Sequence, residues 1–286
     1  MKQSITEYPS IAVGLGEQKE LLATLDLTVD QLEAVLTQPE YELQPHNVIN
    51  GKHNQSIMHT VERVTGFGID MGSAFEALLL TLGRVPTQQE FNDYCLSVAQ
   101  IFWEKSKPEG IAWDDAVAQA VTNRNYRCYI SQVVELHCTL LLKELFPDWG
   151  IYSSDALDNL LGVDLVVETE TKRLYLHIFK DSKYSFLAFR KKQYRGGTKD
   201  SNGKFRKFNR NFDGDKVLMY EGKPESSSET TKHINGMPLF KAEWLENQLI
   251  LFDTFKQFGE PLEDSKKLEY LDNFLEQYVL PAEMEE

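Results

Sequence analysis

The chain has 286 residues, 42% hydrophobic and 26% charged, with a net charge of −14. Those proportions fit a folded protein with length for one large core or two modest ones, and they exclude a collagen-like or wholly disordered chain. The longest apolar run, Ala74 to Leu82, is interrupted by Glu76 and Thr81 and falls far short of the roughly 20 residues that a membrane-spanning helix needs. Residues Met1 to Glu7 carry no basic start followed by an apolar stretch, so no secretory leader is expected. The cysteines, Cys95, Cys128 and Cys138, are odd in number and form no Cys-x-x-Cys pair. Free thiols in a reducing cytoplasm are the expectation.

Charge is distributed unevenly. The 37 residues from Lys180 to Lys216 hold 12 Lys and Arg against four Asp, a local +8 that leaves −22 for the rest. A compact basic segment within an acidic protein is a localised electrostatic footprint of the kind that meets phosphates.

In chain order, Glu17–Leu25 reads as a first short helix. A second runs from Val29 to Gln38, with Thr28 as its cap, Gln31 at the reciprocal capping-box position and Leu32, Val35 and Leu36 on one face. The pair has the outline of a helix-turn-helix. However, the second helix has no Lys or Arg, so a packing role is the better reading. Residues 41–56 are polar and turn-rich. Helical periodicity returns at 56–65 and 72–83. Gly83 is placed to end that helix, and Thr87 to cap the next, with Glu90 three residues on. That next helix is expected to reach about Lys105. A short helix is expected at Asp114–Thr122, so the N-terminal region, residues 1–125, reads as all-helical.

The pattern then changes. Ser131–Leu145 reads as an apolar helix, and Gly150–Ser153, Val163–Thr169 and Leu174–Lys180 as strands rich in Val, Ile, Leu and Tyr. Glu170–Arg173 is short enough for an antiparallel hairpin. Phe186–Arg190 reads as a strand or a helix start. Lys216–Gly222 reads as a strand, and 222–236 as a turn-rich loop. Residues 241–256 and 264–279 read as amphipathic helices, expected to cover the sheet or to form a homodimer contact.

The order helix, strand, strand, strand from Arg127 to Lys180 carries Glu135 in the helix, Asp164 opening "DLVVET" and Lys180 closing "LYLHIFK". This order resembles the PD-(D/E)XK nuclease superfamily, which includes many restriction and repair endonucleases. The likeness covers about residues 127–220. It implies an α/β fold for residues 126–286, with a mixed sheet flanked by helices. It further implies that Glu135 and Asp164 hold Mg²⁺ or Mn²⁺, and that Lys180 orients the attacking water during cleavage of DNA. The chemistry is coherent, because phosphodiester hydrolysis calls for a hard cation on carboxylate oxygens and a cationic group near the water. The family pattern has an acid two residues before the lysine, and here that position is Ile178. His177 is the nearest polar group, but strand alternation turns it away from Lys180 unless a bulge intervenes. Two repairs stay open: His177 as an auxiliary ligand or base with Lys180 turned in by a bulge, or Asp181 or Lys183 acting from beyond the strand. A degenerate site that only binds, as a subunit of a larger assembly with protein partners, is a third reading.

Each residue also has a plain structural reading. Glu135 would be a solvated helix residue, Asp164 a strand-start cap, His177 a hydrogen-bonded core histidine and Lys180 an exposed strand end. Within the basic segment, Arg190, Lys191, Lys192 and Arg195 form one cluster around Tyr194. Lys204, Arg206, Lys207 and Arg210 form a second, interleaved with Phe205, Phe208 and Phe212. Such residues neutralise phosphates and stack on bases. His46, His53 and His59 lack the hairpin context of a zinc or HNH-type site. Gly196–Lys204 lacks the spacing and the Ser/Thr of a phosphate-binding P-loop.

Overall fold

The computed structural model describes residues 27–44, 71–106, 110–153, 163–168, 173–183, 185–187, 189, 215–223 and 228–256. These residues form a mixed α/β arrangement. Its helices are α1 (Val29–Leu36), α2 (Met71–Leu82), α3 (Gln88–Ser106), α4 (Asp115–Leu145) and α5 (Ala242–Lys256). Strands β1 (Gly150–Tyr152), β2 (Leu165–Glu168), β3 (Arg173–Lys180) and β4 (Lys216–Tyr220) form one sheet, and β5 (Thr231–Ile234) and β6 (Met237–Phe240) form a separate hairpin.

The local signals at helix ends act as their chemistry requires. Thr28 accepts from the Gln31 backbone at 3.2 Å, and the Gln31 side chain accepts from the Thr28 N–H at 2.9 Å. Two orphan donors of the first turn are thereby satisfied reciprocally. The same box recurs before α3, where the Glu90 N–H donates to Thr87 Oγ1 at 3.2 Å and the Thr87 N–H donates to Glu90 at 2.8 Å. Gly83 ends α2 with φ +62°, the left-handed conformation that favours glycine.

Helix α4 is the spine of the fold. It has 31 residues, about 46 Å at the usual rise per residue. It replaces the two helices expected at 114–122 and 131–145, and it runs through residues 125 and 126, where the sequence reading divides the chain. The segment Asn123–Ile130 is polar and weakens the apolar periodicity, but it contains no Gly or Pro to stop a helix. Tertiary bonds hold it instead. Asn125 Nδ2 donates to Asn92 Oδ1 at 3.1 Å, and the Tyr129 hydroxyl donates to the Pro86 carbonyl at 2.9 Å. Tyr129 also packs with Phe75 and Phe91, with ring centroids 5.9 to 6.2 Å apart. The C-terminal half of α4 is buried on several sides, from Val133 and Val134 through Leu140, Leu141 and Leu142. The helix as a whole packs against α1, α2, α3, α5, β1, β3 and β6.

The main sheet has the order β1-β2-β3-β4. β1 and β2 pair antiparallel, as do β2 and β3, whereas β3 and β4 pair parallel. The β2–β3 pair is the expected hairpin. Parallel pairing of β3 and β4 requires a crossover, and near its start Lys183, Ser185, Phe186, Leu187 and Phe189 are helical. Leu174, Leu176 and Ile178 alternate onto the face that joins the α4 core.

Residues 222–236 were expected to be a turn-rich loop, and β5 corrects that reading. The hairpin turn is Asn235–Gly236, with φ +48° and +83°. Asn-Gly is the pair that favours positive φ at both central positions of a two-residue hairpin. The Asn235 side chain also donates to the carbonyls of Leu36 and Gln38 at 2.9 and 3.0 Å, capping the end of α1. Among the described residues no helix is long and apolar enough to cross a membrane. Cys95, Cys128 and Cys138 are free thiols.

One partly buried ionic contact ties three elements together. Glu33 of α1 lies 2.8 Å from His137 Nε2 on α4 and 2.6 Å from Lys232 Nζ on β5. The hydrogen bond from His137, helped by Lys232 and opposed by burial, lowers the Glu33 carboxyl from 4.5 to about 2. A depressed carboxyl contributes stability that is full above its unfolded value and is lost as pH falls through the folded one. Glu33→Gln is therefore expected to be less stable at neutral pH and to flatten the decline of the unfolding free energy between pH 4.5 and about 2, read by urea titration across that range. In the α4 core, Leu142→Ala should cost about 2–5 kcal/mol by the same measurement, since Leu142 is fully buried.

Candidate functional site at the end of the sheet

The strand registers carry the singled-out residues to one end of the sheet. Tyr152 pairs with Val166, Leu165 with Leu176 and Lys180 with Tyr220. Ser153 after β1, Asp164 before β2, Lys180 ending β3 and Tyr220 ending β4 therefore share one end. Alternation puts Lys180 on the face of Leu176 and Ile178, toward α4.

Asp164 is fixed at two points. Its N–H donates to the Leu176 carbonyl at 3.1 Å, and its Oδ2 accepts from the Ile178 N–H at 2.6 Å. The carboxylate thus sits on the backbone of the residue where the family pattern has an acid. The Ile178 side chain is buried, 5% exposed, among the apolar residues beneath α4.

Glu135 projects from α4 into a small open cleft lined also by Glu76, Gln132, Thr139 and Ser153, with Phe75, Leu79 and Leu136 as its apolar wall. Glu135 and Asp164 act on the same buried groups. Burial pushes the Tyr220 phenol up to about 12; a hydrogen bond with the Ser131 side chain opposes this, and the charges of Glu135 and Asp164 both add to it. Burial likewise pushes the Cys138 thiol up, again with help from both carboxylates. Two carboxylates that raise the same phenol and the same thiol share one region of negative potential.

Among the described residues, no group of three His, Cys, Asp or Glu side chains forms a metal cluster. Two carboxylates still match the chemistry of Mg²⁺, which keeps several waters and commonly takes one or two carboxylates rather than a full protein cage. Glu135 and Asp164 are hard oxygen donors of that kind. Their shared negative region, next to a neutral phenol, is one that a cation would offset.

Lys180 is exposed and lies over Gly222, two residues beyond β4. A Cβ at Gly222 would stand 2.6 Å from Lys180 Nζ and would collide with Cε and Cδ as well. The bare glycine leaves room for the lysine to cross the end of β4. Sequence reading missed Gly222 and Tyr220, because neither carries a motif and only the parallel register brings them to Lys180.

His177 stands elsewhere. β3 pairs residue by residue with β4 from Leu176 to Lys180, so the bulge that would turn His177 and Lys180 to one face is absent. His177 lies on the face away from α4, with Phe189 over its ring at 4.7 Å between centroids. Its Nε2 donates to Asp215 Oδ2 at 2.6 Å, and the two side chains are only 1% and 3% exposed. Asp181 and Lys183 are exposed just past β3, and the Asp181 N–H donates to the Tyr220 carbonyl at 2.7 Å. Arg190, Lys191, Lys192, Arg195, Lys204, Arg206, Lys207 and Arg210 lie outside the described residues, as do His46, His53 and His59 and the helices expected at 17–25 and 264–279.

Gly222→Ala is expected to leave the fold intact, because the clash falls on the flexible end of a lysine, and to displace the Lys180 ammonium. An NMR spectrum of the lysine side chains should show a shifted Lys180 signal while the thermal midpoint stays within a few degrees.

No protein-family model matches this chain, and comparisons with curated proteins and with solved structures found no match.

Proposed function

We propose that this chain is a metal-dependent DNA endonuclease of the restriction-endonuclease-like kind, hydrolysing phosphodiester bonds in the cytoplasm. The observation that carries the reading is that Asp164 and Lys180 lie at one end of a mixed sheet, with Glu135 in the cleft lined by Ser153 at that same end. Two supports are independent of it. The element order, a long helix followed by three antiparallel strands, is the order on which the sequence resemblance rests. The local charge of +8 between Lys180 and Lys216 begins at the proposed site and supplies a phosphate-binding footprint.

In this reading Glu135 and Asp164 hold Mg²⁺ or Mn²⁺, which when bound supplies charge neutralisation at the scissile phosphate. Lys180 orients the water and offsets negative charge as it develops. The hydrogen bond from Ile178 fixes the Asp164 carboxylate before any substrate arrives. Tyr220 is neutral at physiological pH, as an ordinary phenol is, and burial shifts it further in that direction, so it adds no competing charge.

A second reading rests on the buried Ile178. With an apolar side chain where the family pattern has an acid, the domain would bind nucleic acid or a protein partner without cutting, as a nuclease-fold subunit of a larger assembly.

The test is incubation of the purified protein with supercoiled plasmid, linear duplex and single-stranded DNA, in Mg²⁺, Mn²⁺ or EDTA, beside Asp164→Asn and Lys180→Met. Metal-dependent cutting is expected, reduced by at least about a hundredfold in either variant, with DNA affinity measured in EDTA kept within about tenfold. Salt-sensitive binding without cutting in any metal would favour the noncatalytic subunit. Cutting by Asp164→Asn at the wild-type rate would sink the site assignment.

A further inference from the structure

We infer that Tyr220 is a positioning residue, whose side chain and carbonyl tie the helix that carries Glu135 to the strand that carries Lys180 and so set the spacing of those two groups at the sheet end. The inference rests on the endonuclease reading above for its consequence, and on described residues for its geometry.

Tyr220 closes β4 and pairs with Lys180 across the parallel ladder. Alternation along β4 puts it on the face of Leu218, toward α4, where it is only 3% exposed. Three contacts fix it there. Its hydroxyl is hydrogen-bonded to the side chain of Ser131 on α4, one helical turn before Glu135 and on the same helix face. Its ring meets Phe240 of β6 edge-on, with centroids 6.3 Å apart and planes at 82°, and Phe240 stacks in turn on Trp244 of α5 at 5.4 Å. Its carbonyl accepts from the N–H of Asp181, the residue after Lys180, at 2.7 Å. One residue of β4 therefore holds α4 on one side and the exit from β3 on the other.

The carboxylate of Glu135 arrives at the sheet end from a helix, whereas Asp164 and Lys180 arrive from strands. Their spacing therefore depends on how α4 sits over the sheet. Apolar packing is non-directional and tolerates small shifts of one element on another, but a hydrogen bond is directional. A buried phenol deprived of its partner is costly, so the Ser131 bond favours one rotation and one height of α4. The negative charges of Glu135 and Asp164 both act on this phenol, as expected of a residue set close to each. The tie continues along the chain. The Glu221 N–H donates to Thr231 Oγ1 at 3.0 Å, and Glu221 Oε1 accepts from Thr230 Oγ1 at 3.1 Å. Those bonds hold the residue between Tyr220 and Gly222, the glycine over which Lys180 lies. A misplacement of about 1 Å costs a reacting group on the order of a hundredfold, so a tie of this kind bears on function although its hydroxyl takes no part in the chemistry.

The variants that test it are Tyr220→Phe, Ser131→Ala and the two combined, each checked for a cooperative thermal transition. Phe keeps the ring and its edge on Phe240, and Ala suits a helix, so both should fold. Three readouts are compared with the wild type: amide hydrogen exchange at Asp181 and Glu221, Mn²⁺ affinity without DNA by water-proton relaxation, and plasmid cutting across a range of Mn²⁺. Either single variant should exchange faster at both amides than its loss of global stability accounts for. Each should weaken Mn²⁺ binding on the order of tenfold and raise the Mn²⁺ concentration for half-maximal cutting by a similar factor. The combined variant should be no weaker than either single one, because both remove the same bond. Unchanged exchange at both amides in the folded variants would overturn the tie. Faster exchange with wild-type Mn²⁺ affinity and cutting would overturn the positioning role alone, since a merely structural tyrosine moves stability and not metal affinity. A wild type that neither binds Mn²⁺ nor cuts would overturn the endonuclease reading and the role that rests on it, while the exchange data would still decide the tie.

Discussion

Burial of the C-terminal half of α4 on several sides at once is the constraint on which the remaining architecture depends. A surface helix buries one stripe, whereas in the stretch from Val133 to Leu142 every residue but Glu135 is buried, because α4 packs against sheet, hairpin and helices. Any polar group in such a stretch needs a specific partner or a specific opening. His137 has the partner, in Glu33 at 2.8 Å. Glu135 has the opening, in the cleft beside β1. The same helix that organises the core thus delivers a carboxylate to the sheet end, and the two roles are inseparable.

The sheet divides the remaining chemistry between its faces. Alternation along β3 sends Leu174, Leu176 and Ile178 to α4, with Lys180 at their end, and sends His177 and Phe179 to the other side, where Phe189 covers them. Regular pairing with β4 enforces that division, since a bulge would be needed to undo it. The near-adjacent letters His177 and Lys180 therefore belong to two different structural problems. One face gathers charge at an exposed edge. The other buries an ionic hydrogen bond beneath an aromatic ring, a suitable place for a group that holds two chain segments together.

Much of the local structure was legible because its causes are local. Thr28 with Gln31 and Thr87 with Glu90 satisfy orphan N–H groups within three residues, and Gly83 supplies a positive φ that other residues resist. The strand runs and the β2–β3 hairpin followed from apolar patterning and a short connection. The break expected inside α4 arose because Asn123–Ile130 is locally polar, and the bonds from Asn125 and Tyr129 that carry the helix through reach residues 33 and 43 positions away. The β5–β6 hairpin was the opposite case. Its Asn235–Gly236 signal was present in the letters, but a background of Ser, Thr and Lys hid it.

For the candidate site, the residue types and their order were in the sequence, and so was the uneven charge. Glu135, Asp164 and Lys180 could be named because helix, strand opening and strand end are positions that local pattern defines. What the letters left open was convergence. Strand order, the parallel pairing of β3 with β4 and the side of the sheet that α4 covers come from contacts between segments tens of residues apart. Those contacts bring Tyr220 and Gly222 to Lys180, seat the Asp164 carboxylate on the Ile178 backbone and turn His177 toward Asp215. Local chemistry fixes elements and caps within a few residues, whereas burial, which sums over the whole chain, decides which of those elements face one another.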